Sequence, residues 1–302
     1  MTTIGLGQFT AKADHEHNLR EIESLIRDAG KAGVEILSLH ELSTTIYFCY
    51  KNATEYRGLA EPDDGESVTR VREAASKAGL AVVFPFYERT STGKLFNTAV
   101  VIDRAGEVVG KYRKMSIPAI KRTVDPTETP ADEQFYFSPG DLGFPVFEVA
   151  GIRVGILICY DRHFPEAARV IGLQGTDVLF VPTATYRRWI LRVWEAELIG
   201  HAVANCYYVA GVNRVGIEEG GAPDRSYFGS SVVIDPEGQV LARAGDSGRE
   251  LLVAEISSQH ARDLRDLWGF FRTRRPDAYG ALTEPIHEAG AMSASTEILL
   301  PT

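Results

Sequence analysis

Cysteine is scarce in this chain, with three in 302 residues (Cys49, Cys159 and Cys206), none spaced as a metal-ligand pair. Their number leaves at least one thiol unpaired, so neither a disulfide framework nor a cysteine-based metal centre is expected. Positive charge is also short. Lys and Arg total 32 against 41 Asp and Glu, a formal net charge of −9, which argues against nucleic-acid partners and an anionic membrane surface. No uncharged apolar run approaches membrane-spanning length. The opening Met-Thr-Thr-Ile-Gly-Leu-Gly-Gln-Phe lacks a basic stretch followed by an apolar core, so no signal peptide is expected and the expected compartment is the cytoplasm. What remains is 44% hydrophobic and 24% charged, an ordinary globular balance.

Short apolar runs alternate with longer amphipathic ones. Strands are predicted at Ile4–Phe9, Val34–Leu39, Leu80–Phe86, Asn97–Ile102 and Val108–Tyr112, with helices at Glu16–Ala32 and Glu66–Ala78. The second half offers strands at Val146–Val149, Arg153–Ile158, Asp177–Val181 and Tyr207–Val212 and helices at Pro165–Leu173 and Trp189–Ala204. A hairpin, Phe228–Ile234 with Gln239–Ala244, follows. The segments around Val100 and Val232 share Val-Val-Ile-Asp-x-x-Gly-x-Val, and the order of elements repeats with them. Two coincidentally similar hairpins would explain the local match. Duplication explains the element order too, and predicts two α+β halves packed sheet on sheet, an α/β four-layer α-β-β-α sandwich. One domain is expected over residues 1–279, and residues 280–302 read as a tail or oligomerisation arm.

Three polar residues stand where a core would not place them. Cys159 ends the aliphatic run of Gly155-Ile-Leu-Ile-Cys159, just before a predicted helix whose first N–H groups would favour a thiolate. Glu41 closes the strand ending Leu-His-Glu, and Lys114 lies just past the first hairpin. Sheet-on-sheet packing would let carboxylate, ammonium and thiol converge.

With these residues the chain resembles the nitrilase superfamily, carbon–nitrogen hydrolases with a Glu-Lys-Cys triad. The resemblance runs from Gly7 to about Tyr279 through Leu39-His-Glu-Leu, Phe96-Asn-Thr, Tyr112-Arg-Lys, Phe135-Tyr-Phe-Ser-Pro-Gly-Asp, Ile158-Cys-Tyr-Asp and Asn213-Arg-Val-Gly. It implies the four-layer fold and Glu41 as general base. It also implies Lys114 and the backbone N–H of Tyr160 as stabilisers of the tetrahedral intermediate, and Cys159 as nucleophile. Glu133 falls where many members carry a second glutamate that positions the lysine and the substrate's amino group. No cofactor or metal is implied.

The segment Cys159-Tyr-Asp-Arg-His-Phe-Pro-Glu looks like N-carbamoyl amino acid hydrolases, especially β-ureidopropionase-like members, and places Arg162 where they bind the substrate carboxylate. Internal pairing of Arg162 with Asp161 or Glu166 is the competing expectation. Tyr160 and His163 stand where the D-amino acid enzymes carry Asn and a second Arg, so a two-arginine clamp is not expected unless Arg187 or Arg188 replaces it. Thr183 is expected to touch the substrate from the next strand end. The leading expectation is therefore an N-carbamoyl amino acid amidohydrolase releasing amine, ammonia and CO2. An N-carbamoylputrescine amidase is the alternative, against which Arg162 counts. An aliphatic amidase, a nitrilase and a non-catalytic scaffold rank lower. Family members commonly associate near the nucleophile's helix, so a homo-oligomer is expected. The polar, proline-rich stretch within residues 121–132 reads as a surface loop.

Overall fold

A computed structural model describes residues 1–120, 131–186 and 188–284, with no side chains considered at 119, 120, 188 and 189. Most of the 121–132 loop, Arg187, the side chain of Arg188 and residues 285–302 of the expected arm lie outside the described residues.

Twelve strands form two six-stranded sheets. The first half supplies β1 (Thr2–Gln8), α1 (His15–Lys31), β2 (Ile36–Leu39), α2 (Glu66–Ala78), β3 (Ala81–Arg89), β4 (Leu95–Ile102) and β5 (Val108–Arg113). The second supplies β6 (Val146–Val149), β7 (Ile152–Ile156), α3 (Pro165–Leu173), β8 (Val178–Pro182), α4 (Arg188–Asn205), β9 (Tyr208–Val212), β10 (Val232–Ile234) and β11 (Val240–Arg243). The chain then returns to the first sheet as β12 (Glu250–Ile256) and ends its regular structure in α5 (Ser258–Trp268).

Alternation of side chains along the strands builds the layers. In β3, Ala81 and Val83 face the core between the sheets, whereas Val82, Phe84 and Phe86 pack beneath α1 and α2. With both faces buried, such strands read as unbroken apolar runs. Leu19, Ile22, Leu25 and Ile26 give α1 its apolar stripe, and Asp14 caps it by accepting from the His17 N–H at 3.1 Å. Ala168 and Ile171 of α3 and Trp194 and Leu198 of α4 cover the second sheet. The result is the expected α-β-β-α sandwich.

The duplication is topological as well as local. The first sheet runs β12-β1-β2-β3-β4-β5 and the second β6-β7-β8-β9-β10-β11. In each, three parallel strands are followed by two antiparallel ones, and an antiparallel strand flanks the other side. The two matched hairpins carry a register shift at the same place, Val101/Ile102 and Val233/Ile234. Their turns match atom for atom. Asp103 Oδ1 accepts from the N–H groups of Ala105 and Glu107, as Asp235 Oδ1 does from Glu237 and Gln239. Gly106 and Gly238 take φ of 86° and 88°, a region closed to most side chains.

Two of these elements lie outside the sequence predictions: the edge strand β12, with two of its seven residues exposed, and α5, which buries only Ala261 and Leu264.

Candidate active site

The strand ends deliver the polar residues to one place. Glu41 leaves β2 fully buried, and the next residue, Leu42, takes a left-handed φ of 48°. Glu41 Oε1 accepts from Asn97 Nδ2 at 2.7 Å and from Lys114 Nζ at 2.8 Å. Its other oxygen is buried without a donor among the described residues.

Lys114 follows β5, its N–H bound to the Asn97 carbonyl at 2.8 Å, so one asparagine fixes both residues. Its ammonium also donates to both oxygens of Glu133, at 2.9 and 2.7 Å. Burial alone would pull Lys114 down, but Glu133, Glu41 and Cys159 outweigh it and hold the ammonium well above its ordinary range. Glu133 opens a short 3₁₀ turn, is 1% exposed, and accepts from the Tyr47 hydroxyl at 2.6 Å. Burial, and then Glu41, push its carboxyl up against the pull of Lys114 and Tyr47.

Cys159 opens a 3₁₀ turn, Cys159–His163, with φ of 49°. A non-glycine residue in this region stores about 1–3 kcal/mol of strain unless its surroundings fix it. Asp161 does much of the fixing. Its buried carboxylate accepts from the Tyr112 hydroxyl (2.6 Å), the Ser116 N–H (2.7 Å) and the Ile158 N–H (3.2 Å). The Cys159 segment is thereby pinned to residues on either side of Lys114. Cys159 lines a cavity of about 130 Å³ with Tyr47, Glu133, Tyr160, Arg162 and Thr185.

The expected helix-stabilised thiolate is corrected. Burial, reinforced by Glu41, pushes the Cys159 thiol up to about 12. The α-helix starts only at Pro165, and the Lys114 charge is already shared by two carboxylates. Burial and the charge of Glu41 thus favour the thiol over the thiolate, against the pull of Lys114 and Arg162.

Two substrate-contact expectations change as well. Arg162 is 1% exposed and pairs with neither Asp161 nor Glu166. Its Nε donates to Glu197 Oε2 at 3.1 Å and its Nη1 to the Cys159 carbonyl at 2.9 Å. Glu197 also holds His163 Nδ1 at 2.7 Å. Nη2 of Arg162 has no partner among the described residues. Thr183 is fully buried and spends its hydroxyl on the Val181 carbonyl at 3.0 Å, while Ala184, Thr185 and Tyr186 form the cavity wall. Tyr160 does line the cavity.

Other residues take quieter places. His40 Nδ1 lies 3.1 Å from the Glu41 carbonyl, and His201 Nε2 lies 2.7 Å from the Arg162 carbonyl. Cys49 and Cys206 are buried in packing. Tyr47 reaches the cavity, whereas Phe48 packs on Tyr87 and Tyr136. Among the described residues no group of His, Cys, Asp and Glu is arranged to hold a metal ion. Nor is any described helix long and apolar enough to cross a membrane. Asn97 and Asp161 are not site residues in the sequence reading, although both sit inside the motifs; the aromatic run of Tyr47, Phe48 and Tyr50 could shape the entrance or merely cover the sheet, and Tyr47 does line the cavity.

The Carbon-nitrogen hydrolase family model matches residues 3–266. The chain is 34% identical to the N-carbamoylputrescine amidase of Solanum tuberosum over 294 residues, covering 93% of this chain and 95% of that protein. It is 33% identical to the citrullinase of Francisella tularensis, covering 91% and 96%. The carbon-nitrogen hydrolase of Helicobacter pylori G27 superposes with a TM-score of 0.86 at 31% identity, covering 94% of this chain and 98% of that one. The chain thus belongs to the carbon-nitrogen hydrolase family of the nitrilase superfamily, enzymes that act on carbon–nitrogen bonds other than peptide bonds.

Proposed function

We propose that this protein hydrolyses the carbamoyl C–N bonds of an N-carbamoyl amine, with N-carbamoylputrescine as the preferred type of substrate. The observation that carries the chemistry is the buried Lys114 ammonium shared by Glu41 and Glu133, with Glu133 lining the same cavity as Cys159 and Glu41 Oε2 left without a donor among the described residues. In the proposed reaction Glu41 takes the thiol proton as sulfur attacks the carbamoyl carbon. The resulting oxyanion is held by the Lys114 ammonium and the Tyr160 N–H. Collapse passes the proton from Glu41 to the departing nitrogen and leaves a thioester-type acyl enzyme. Glu41 then deprotonates water, and hydrolysis releases a carbamate that loses CO2. The sum is R-NH-CO-NH2 + H2O → R-NH2 + NH3 + CO2. Glu133 keeps the ammonium in place while Glu41 changes protonation.

The substrate choice departs from the leading sequence expectation. A carboxylate anchor needs a free guanidinium, and Glu197 already neutralises Arg162. The N-carbamoylputrescine amidases at 33–34% identity support the same choice. One observation favours N-carbamoyl amino acids as a second reading: Arg162 lines the cavity and its Nη2 is unpartnered among the described residues.

Ammonia release from N-carbamoylputrescine, N-carbamoyl-β-alanine, N-carbamoyl-D- and L-amino acids, simple amides and nitriles tests the proposal. Turnover of the diamine derivative is expected to exceed that of every carboxylate. Carboxylate turnover with none of the diamine would reverse the choice, and no turnover with an inert Cys159 would remove the activity altogether.

A further inference from the structure

The hydrogen bonds around the site continue past Lys114 into the second half of the fold. Arg214 lies two residues beyond β9 and is completely buried. Its Nη2 donates to the carbonyls of Glu41 and Leu42, both at 2.7 Å, and its Nη1 to Glu218 Oε1. Glu218 is buried too, and its Oε2 accepts from the backbone N–H of Tyr47 at 2.8 Å. The Tyr47 hydroxyl donates to Glu133, and Glu133 and Glu41 meet at Lys114 Nζ. These contacts form a closed circuit. One ion pair from the second half reaches the backbone of one carboxylate and, through a tyrosine, the side chain of the other.

Stability does not explain this pair well. Two charges taken out of water gain little over apolar side chains of the same volume, and Arg214 Nε is left without a partner among the described residues. The backbone it grips is the turn carrying the left-handed Leu42, which would otherwise be free to relax and carry Glu41 with it.

We propose that the Arg214–Glu218 pair is a positioning device that sets Glu41 through its backbone and Glu133 through Tyr47. It fixes the separation of the two carboxylates that share Lys114. Neither residue touches the reacting atoms. The inference rests on the reading of Glu41 and Glu133 as participants in the reaction.

Two variants test it, assayed with the best substrate of the panel above and normalised by Cys159 alkylation. Glu218→Gln keeps an acceptor for the Tyr47 N–H but weakens the hold on Arg214. It should lower kcat by about ten-fold or more while leaving KM within about two-fold. Tyr47→Phe removes one hydroxyl. It should lower kcat and move the acid limb of its pH profile upward by about half a unit or more, because Glu133 loses a donor that favours its ionised form. The other groups facing Glu133 are Lys114, Glu41, Cys49 and Cys159, and neither variant alters them. Unchanged kcat per titrated site in Glu218→Gln, with only a lower Tm, would reduce the pair to a structural role and overturn the proposal. If Glu218→Gln does not fold, Tyr47→Phe decides alone, and an unmoved acid limb overturns it. Glu41→Gln and Glu133→Gln run alongside. If these retain full kcat, the functional reading fails and the positioning inference falls with it. If they lose activity while Glu218→Gln and Tyr47→Phe do not, only the positioning inference fails.

Discussion

A buried thiol with its proton in place reacts only as fast as a neighbour can take that proton. Glu41→Gln should therefore slow iodoacetamide alkylation of Cys159 at pH 7 by about ten-fold or more. Peptide mass spectrometry would read it, with the buried Cys49 and Cys206 as internal unreactive controls. Equal rates would mean that another group activates the sulfur. Glu197 bears on a different matter, the charge of Arg162, which lines the cavity. Arg162 is buried but Glu197 is 27% exposed, so glutamine, which still accepts from Nε, is the substitution to make there. Glu197→Gln should free the guanidinium charge and lower KM for N-carbamoyl-β-alanine about five-fold relative to N-carbamoylputrescine, an effect of ~1 kcal/mol. An unchanged KM ratio would count against Arg162 as a carboxylate ligand in either state.

Among the elements, the end of the first sheet carries the most charge. Glu88 on β3 accepts from Thr98, Lys111 and Arg113 on the neighbouring strands, immediately before Lys114. Burial pushes its carboxyl up, but the hydrogen bonds from Arg113, Lys111 and Thr98 outweigh that and hold it below the ordinary range. The stability this confers is present above its unfolded value of 4.5 and is lost as pH falls through the lower folded value. Glu88→Gln should thus lower Tm at pH 7, with the gap to wild type closing as pH drops below about 4.5. A gap independent of pH would point to packing instead.

The same scale shows what the sequence could reveal. Central strands announced themselves because both faces are buried, and α3 begins and ends where Pro165 and the apolar period place it. Edge strand β12 was not predicted, although its Leu251-Leu252-Val253-Ala254 run is apolar. Glu41 and Cys159 were legible as polar residues ending apolar runs, and Lys114 by its place just past the first hairpin. The partners of Arg162 were not, because Glu197 lies 35 residues away on another helix and no periodicity joins them. The upward push of burial on the Cys159 thiol was hidden for a similar reason, since burial depends on what the rest of the chain packs over it.

For the molecule as a whole, duplication predicts interchangeable parts. Exchanging residues 104–107 with 236–239 keeps the Asp side-chain cap and the positive-φ glycine of each turn. The exchange should leave Tm within about 2 °C, whereas Gly106→Ala or Gly238→Ala should each cost roughly 1 kcal/mol. A large loss from the exchange would show that the turns have diverged in their packing against the helices.

The pairing of β12 with β1 also has a cost during synthesis. Gln8 meets Glu250, so the first sheet carries an open edge until residue 250 and those after it in β12 have left the ribosome. At 5–20 residues per second that interval lasts roughly 10–50 s. A chain halted before residue 250 would hold Glu41, Lys114 and Cys159 yet expose a raw strand edge, a target for chaperones and proteases.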